Sequence, residues 1–379
     1  MPYEKRKSVV IGVPKEIKKG EYRIGMTPYG VEELRADGHT ILVEKNAGAG
    51  SDFPDEEYRD MGAETVDRNE VFDKAELIVK VKEPVHSEYG LLREEQSIFT
   101  FLHLAANREL IDVLLKKKIT GLGYETLQKN GSLPLLAPMS EIAGRMAPIM
   151  AAYYLQRIHG GEGLLPTGIL GVQPAKAVVI GAGVVGTNAA RDCIGLGMDT
   201  VVMDIKMERL QKIDEMFMGR VKTLPVTMHN IREEMKDADI VIGAVLVPGG
   251  KTPVVIHRDM LKTMKRGSVI VDVSVDQGGC FETSRPTTHD DPIYEVDGVI
   301  HYTVANMPGA YPKTSTIALT NVTLPFIKTL ANMGIEKAIS EDPVIKSALN
   351  TYKGEVVHKA LADSMGYVYK SIDDILKTT

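Results

Sequence analysis

The chain has 379 residues, 44% hydrophobic and 25% charged, an ordinary composition for a globular protein and enough length for two domains. Its net charge of -6 argues against a nucleic-acid partner, because phosphate binding needs a concentrated positive field. The only cysteines, Cys193 and Cys280, lie in segments that read as core or site-lining loop, which fits free thiols in a reducing cytoplasm and not a disulfide framework.

The N-terminal MPYEKRKSVVIG follows its basic residues with a short apolar run, broken at Gly12 and Pro14, and so lacks a secretory core. Nowhere does the chain hold the roughly 18 consecutive apolar residues of a membrane-spanning helix, and a cytoplasmic protein without membrane contact is expected. From residue 9 onward, β-branched runs alternate with amphipathic stretches, the pattern of a parallel sheet with crossover helices. Strands are expected at 9–13, 40–44, 77–82, 97–102 and 120–124, with a surface helix at 107–118. Residues 140–159 read as a long helix with Ser140 as N-cap, Glu141 in its first turn and a kink at Pro148. The glycine- and proline-rich GGEGLLPTGILGVQP is an irregular connection into a new unit.

The alternation restarts with strands expected at 177–181, 200–204, 222–226, 239–245, 268–274 and 299–304, the count of a full dinucleotide-binding domain. After Asn306 the pattern is mostly helical, at about 314–333, 343–351 and 355–365, in a stretch able to pack back on the first domain.

Between the first two of these strands, AVVIGAGVVGTNAA spaces Gly181, Gly183 and Gly186 as GxGxxG, directly after a strand and before a helix. Gly181 suits the tight turn, Gly183 lets backbone reach a pyrophosphate, and Gly186 allows close helix–strand packing, with the helix N-terminus facing the anion. The next strand ends at Asp204, placed to accept from the ribose hydroxyls and to repel a 2'-phosphate, which favours NAD over NADP. Lys206 and Arg209 nearby weaken that preference.

Ligands of open α/β sheets bind at the carboxyl ends of strands, so ionisable residues there come first. Arg23 follows the first strand and can grip a carboxylate in a bidentate fork; Lys82, His103 and Asp276 follow later ones. Each has a plainer alternative: a surface arginine, a solvated strand end for Lys80 and Lys82, a structural histidine, a turn cap. The nine histidines form no HExxH pair and the cysteines have no ligand partners at usual spacing, so no metal site is expected, and THDD at 288–291 reads as a turn.

From residue 8 to beyond 360, the segments IGVPKEIKKGEYRIGMTP, LIVKVKEP, FTFLHLAANREL, LPLLAPMSEIAGRMA, VVIGAGVVG, GAVLVPGGKTP, VDVSVDQGGCFETSRPTTHDDP and VANMPGAYPKTSTIALTN together resemble the alanine dehydrogenase and pyridine nucleotide transhydrogenase family. The resemblance implies an NAD-dependent, reversible oxidative deamination of L-alanine to pyruvate and ammonia. It implies two Rossmann-like doubly wound α/β domains, with an NAD domain (131–304) inserted into a discontinuous substrate domain (1–130 and 305–379) and the active site in the cleft between them. Carried over by position, Arg23 and Lys82 hold the substrate's carboxylate and carbonyl, and His103 and Asp276 serve as acid and base. The dinucleotide contacts implied are Ser140, Gly181, Gly183, Val184, Val185, Gly186, Asp204, Arg209, Val245, Leu246, Val273, Ser274, Val275, Asp276, Val304, Ala305, Asn306 and Met307. A homohexamer is usual for the family. The competing expectations are the NAD(H)-binding component of a proton-translocating transhydrogenase, a dehydrogenase of another small amino acid, and an NAD-binding protein without turnover.

Overall fold

The computed structural model describes residues 8–245 and 252–377. They form two compact units, one running through Pro138 and resuming at Tyr311, the other spanning Met139–Ala310.

The first unit opens with β1 (Val10–Val13), β2 (Thr40–Glu44), β3 (Glu64–Val66), β4 (Leu77–Val79), β5 (Ser97–Thr100) and β6 (Thr120–Gly123). Strands β1, β4 and β5 read as short apolar runs because both faces of a parallel sheet lie under helices, and β4 and β5 are buried along their whole length. Their order is β3-β2-β1-β4-β5-β6, every neighbouring pair parallel. The chain winds outward from β1 to β3, then returns to lay β4 against the other side of β1. The carboxyl ends of β1 and β4 therefore flank a topological switch point, where such sheets open a crevice for ligands. The helix Arg108–Lys116 starts where Asn107 Oδ1 accepts the Leu110 N–H at 3.0 Å, and it buries Leu110, Ile111 and Leu114.

The second unit repeats the winding with β7 (Lys176–Ile180), β8 (Asp199–Asp204), β9 (Lys222–Pro225), β10 (Ile240–Gly243), β11 (Val269–Asp272), β12 (Ile293–Val296) and β13 (Val299–Tyr302), in the order β12-β13-β11-β10-β7-β8-β9. Alternate side chains enter two cores: Val179, Val202, Ile242 and Val271 pack with Ala147, Ala189 and Cys193, whereas Val178, Val201, Val241 and Ile270 pack with Ile231, Met235 and Met260.

Several expectations need correction. Residues 343–351 and 355–365 are only partly helical: helices Pro343–Ser347 and Lys359–Met365 bracket a hairpin, β14 (Leu349–Tyr352) and β15 (Glu355–Val356), which extends the first sheet antiparallel to β6. Thr351 Oγ1 donates to Ile119 O at 3.0 Å, and opposite it only a glycine fits, since a Cβ on Gly121 would lie 2.6 Å from that hydroxyl. Strands β3 and β12 were not expected; β3 is short and partly exposed, and β12 is antiparallel. The long helix runs over Ala137–Tyr154, so Ser140 lies inside it and caps nothing, and its first turn holds no acid. The expected strand 77–82 stops at Val79, because the next three residues turn into the site.

Candidate active site

Arg23, Lys82 and His103 follow β1, β4 and β5, three adjacent strands of the first unit. Arg23 is not the surface arginine of the plainer alternative: it is 2% exposed, and its fork meets Glu21, with Nε 2.6 Å from Oε1 and one Nη 2.5 Å from Oε2. Burial alone would raise the Glu21 carboxyl, but the hydrogen bonds and charge of Arg23, helped by Lys82, hold it below the ordinary carboxylate value. Burial and the Arg23 charge lower the Lys82 ammonium from its ordinary value, against the opposing pull of Glu21 and Glu83. Arg23, Lys82 and Glu21 thus share one neighbourhood with one more cation than carboxylate, which favours an incoming anion.

The turn that carries Lys82 is pinned by Glu16, whose Oε1 accepts the Val81 N–H at 2.7 Å and the Lys82 N–H at 3.1 Å. Lys80 is fully buried rather than solvated, its Nζ 3.1 Å from both Glu16 and Glu88.

His103, three residues beyond β5, is in a left-handed conformation, φ +47°, a position that β-branched residues avoid. The Glu125 carboxylate accepts its N–H at 2.7 Å and that of Leu102 at 3.1 Å, which holds the turn in place. The imidazole stacks on Phe101 with centroids 5.8 Å apart, and its Nδ1 lies 3.0 Å from Glu83 Oε2. The other Glu83 oxygen accepts from Lys18 Nζ at 2.6 Å. Burial pushes the Glu83 carboxyl up, but the bonds and charges of His103 and Lys18 outweigh it and hold the group at about 2.

The second unit carries the glycine turn at its own switch point, between β7 and β10. Gly181 has φ +106°, and a Cβ there would lie 2.4 Å from Ala244 O; one on Gly186 would lie 1.7 Å from Gly181 O. A Cβ on Gly183 would meet nothing within 4 Å, so backbone is open to a ligand where the helix Val184–Gly195 begins, with Val184 and Val185 as its first residues. These residues fit a dinucleotide pyrophosphate. Asp204 is 3% exposed and braces the turn: its Oδ2 accepts the Ala182 N–H at 2.7 Å, its Oδ1 the Lys206 N–H at 2.8 Å, and Arg209 pairs with it at 3.3 Å. A carboxylate offers about four acceptor sites, so capacity for a ribose hydroxyl remains.

Ser274 Oγ donates to Val245 O at 2.7 Å and ties the ends of β11 and β10 together. Asp276, which is exposed, accepts the Asn306 N–H at 3.4 Å, so the turn Val273–Asp276 and the segment Val304–Met307 meet beyond the carboxyl ends of β11 and β13. Ser140 lies, half-buried, in the helix that approaches the glycine turn; a Cβ on Gly144 of that helix would lie 2.3 Å from Val185 O. Leu246 lies outside the described residues.

Sequence reasoning missed the acids that hold these groups. Glu21 sits two residues from Arg23 in GEYR, a proximity that is a weak signal in a charged loop, and Glu83 is far in sequence from both Lys18 and His103, which it holds. Glu125 and Glu16 carry no motif. Asp272 is wholly buried and accepts from Ser274 N, Cys280 N and Ser284 Oγ at 2.9, 2.9 and 2.5 Å, fixing the loop that presents Asp276. Among the described residues no cluster of metal-ligating side chains occurs, and no helix is long and apolar enough to cross a membrane.

Two doubly wound sheets, with a glycine turn opening on a helix N-terminus in one, define an NAD-dependent oxidoreductase. Residues 12–143 match the profile described as "Alanine dehydrogenase/PNT, N-terminal domain" and residues 147–359 that of the C-terminal domain, and the chain belongs to this family. It is 48% identical to the "Alanine dehydrogenase" of Staphylococcus haemolyticus over 97% of this chain and 99% of that one. A solved "L-alanine dehydrogenase" superposes with a TM-score of 0.92 at 46% identity, over 94% of this chain and 99% of that one. The "transhydrogenase from Sinorhizobium meliloti" gives 0.80 at 26% identity, over 92% and 100%.

Proposed function

We propose that the chain is an L-alanine dehydrogenase, converting L-alanine to pyruvate and ammonia reversibly with NAD. The carrying observation is the pairing of buried Arg23 with half-buried Lys82 at the switch point of the first sheet, a seat for a small carboxylate in segments that neighbour the one carrying His103. Near full-length identity to alanine dehydrogenases supports the same reading.

In this scheme the residues through Pro138 and from Tyr311 onward bind substrate, and Met139–Ala310 binds the dinucleotide. Gly181, Gly183, Val184, Val185 and Gly186 would hold the pyrophosphate, and Asp204 with Arg209 the adenine-side ribose. Ser140, Val245, Leu246, the turn Val273–Asp276 and the segment Val304–Met307 would line the remainder. NAD, when bound, supplies the acceptor for the hydride leaving Cα. Arg23 grips the carboxylate, and Lys82 polarises the developing carbonyl. Once Cα is an iminium carbon, Asp276 draws a proton from the water that adds to it, and His103 relays protons as the carbinolamine collapses to pyruvate and ammonia.

NADH consumption that requires both pyruvate and ammonium tests this reading. The likeness to a transhydrogenase favours a second one, the NAD(H)-binding component of such an enzyme, which predicts tight NADH binding with no ammonium-dependent turnover. Activity on slightly larger amino acids is expected to persist, since one methylene is worth about 1–3 kcal/mol in a pocket.

Replacing Asp204 with Ser removes the charge that opposes a 2'-phosphate and also frees the Ala182 N–H. NAD affinity is expected to fall and the preference for NAD over NADP to narrow, as read from the kcat/KM ratio of the two cofactors; an unchanged ratio places cofactor choice elsewhere.

We also propose a cytoplasmic homohexamer. Two buried free thiols support the compartment. Exposed apolar side chains along one connection, Ile158 at 82%, Ile169 at 65% and Leu170 fully exposed, support association. Leu170→Glu is expected to lower the solution mass measured by light scattering.

A further inference from the structure

We infer that Glu83 is the positioning residue of His103, fixing which imidazole nitrogen carries the proton, and that Lys18 keeps it competent for this task. The inference rests on the reading of His103 as an acid–base group.

Glu83 Oε2 lies 3.0 Å from Nδ1 of the imidazole. A carboxylate is an acceptor only, so the shared proton resides on Nδ1 and the basic lone pair is left on Nε2, the atom directed away from the acid. Lys18 keeps Glu83 in its acceptor form: its Nζ is 2.6 Å from the other oxygen, and its charge and hydrogen bond oppose the upward pull of the carboxyl's own burial. The backbone of His103 is fixed independently by Glu125, through the N–H bonds of Leu102 and His103. One carboxylate thus sets where the ring begins and the other sets how it is turned. The charged groups that bear on this pair are Lys18 from the loop after β1, Lys82 and Tyr89 from the segment after β4, and Glu125 beyond β6, itself faced by His358. Of these, Lys18 forms the ion pair with Glu83, at 2.6 Å, and so bears most directly on the carboxylate's orientation.

Glu83→Gln keeps the shape and removes the acceptor-only character, because an amide offers either an oxygen or an NH2 to Nδ1. Nitrogen NMR of protein carrying labelled histidine reads the tautomer without any turnover, the His103 signal being assigned by its loss in His103→Asn. In the wild type the signal is expected to report protonated Nδ1, and in Glu83→Gln a mixture of the two neutral tautomers. With alanine or pyruvate as substrate, kcat is expected to fall about 10- to 100-fold, the scale of one charge-assisted hydrogen bond, with KM for pyruvate little changed and Glu83→Asp restoring part of kcat. An unchanged tautomer in Glu83→Gln overturns the inference, as does a loss expressed in KM alone. A wild-type protein with no ammonium-dependent turnover overturns the dehydrogenase reading instead, while the tautomer measurement still decides whether Glu83 orients the ring.

Discussion

His103→Ala is expected to lower kcat by about a hundred- to ten-thousand-fold, the contribution of a positioned acid–base group, while NADH binding followed by fluorescence is retained. The substitution is clean for structural reasons. The side chain is 45% exposed, so its removal opens no core cavity. The backbone N–H bond to Glu125 survives, and alanine meets the same left-handed strain that histidine already bears. The glycine turn is built entirely from residues of the other unit, so cofactor binding has no reason to fall with the chemistry. Unchanged turnover would leave His103 a structural histidine.

Arg23→Ala is expected to act on both affinity and stability. On the proposed reading the substrate carboxylate loses its guanidinium partner, and kcat/KM for pyruvate should drop by about a hundredfold, the worth of a strong charge-assisted pair. The same change strands Glu21, whose side chain is 1% exposed, and breaking a buried ion pair from one side costs about 3–5 kcal/mol. The pH dependence distinguishes this from simple cavity formation. In the native protein Glu21 is held below its ordinary value, so it contributes stability that is complete above the unfolded carboxylate pKa and lost as pH falls through the folded value. In the variant, burial with the Arg23 bonds gone raises the group, which then destabilises above the unfolded pKa and ceases to do so once it is protonated in both states. The Tm deficit of Arg23→Ala should therefore be largest near neutrality and shrink on acidification. A deficit independent of pH would show that Glu21 finds another partner.

The central parallel strands were legible because burial on two faces leaves runs such as AVVI and LIV, whose only plausible home is a sheet interior. The glycine turn was equally legible, since its constraints are local: no side chain fits at Gly181 or Gly186. The hairpin β14–β15 was not, because LNTY mixes polar and apolar residues and is fixed by pairing with β6 far away in sequence. Ser140 was misplaced as a cap because helix propensity cannot tell Ala137 from Ser140 as a start once neighbouring elements hold the earlier turn. In the site, the placement of Arg23, Lys82 and His103 in the segments that follow β1, β4 and β5 was legible from the strand pattern. The buried ion cluster around Lys80 did not, since the alternation in VKVK is compatible with either face being wet.

The pairing of β14 with β6 also orders events in time. Thr126 Oγ1 donates to Ala348 O, a bond between residues 222 positions apart. At about 5–20 residues per second, a ribosome takes roughly ten to forty seconds to make the intervening chain. Throughout that interval β6 is the bare edge of an unfinished sheet, a template for pairing with any extended segment nearby. Before that interval ends, Met139–Ala310 has every strand of its own sheet synthesised. Vectorial synthesis therefore completes the inserted unit first and leaves the enclosing one waiting, and a chain cut short before Leu349 carries that open edge permanently.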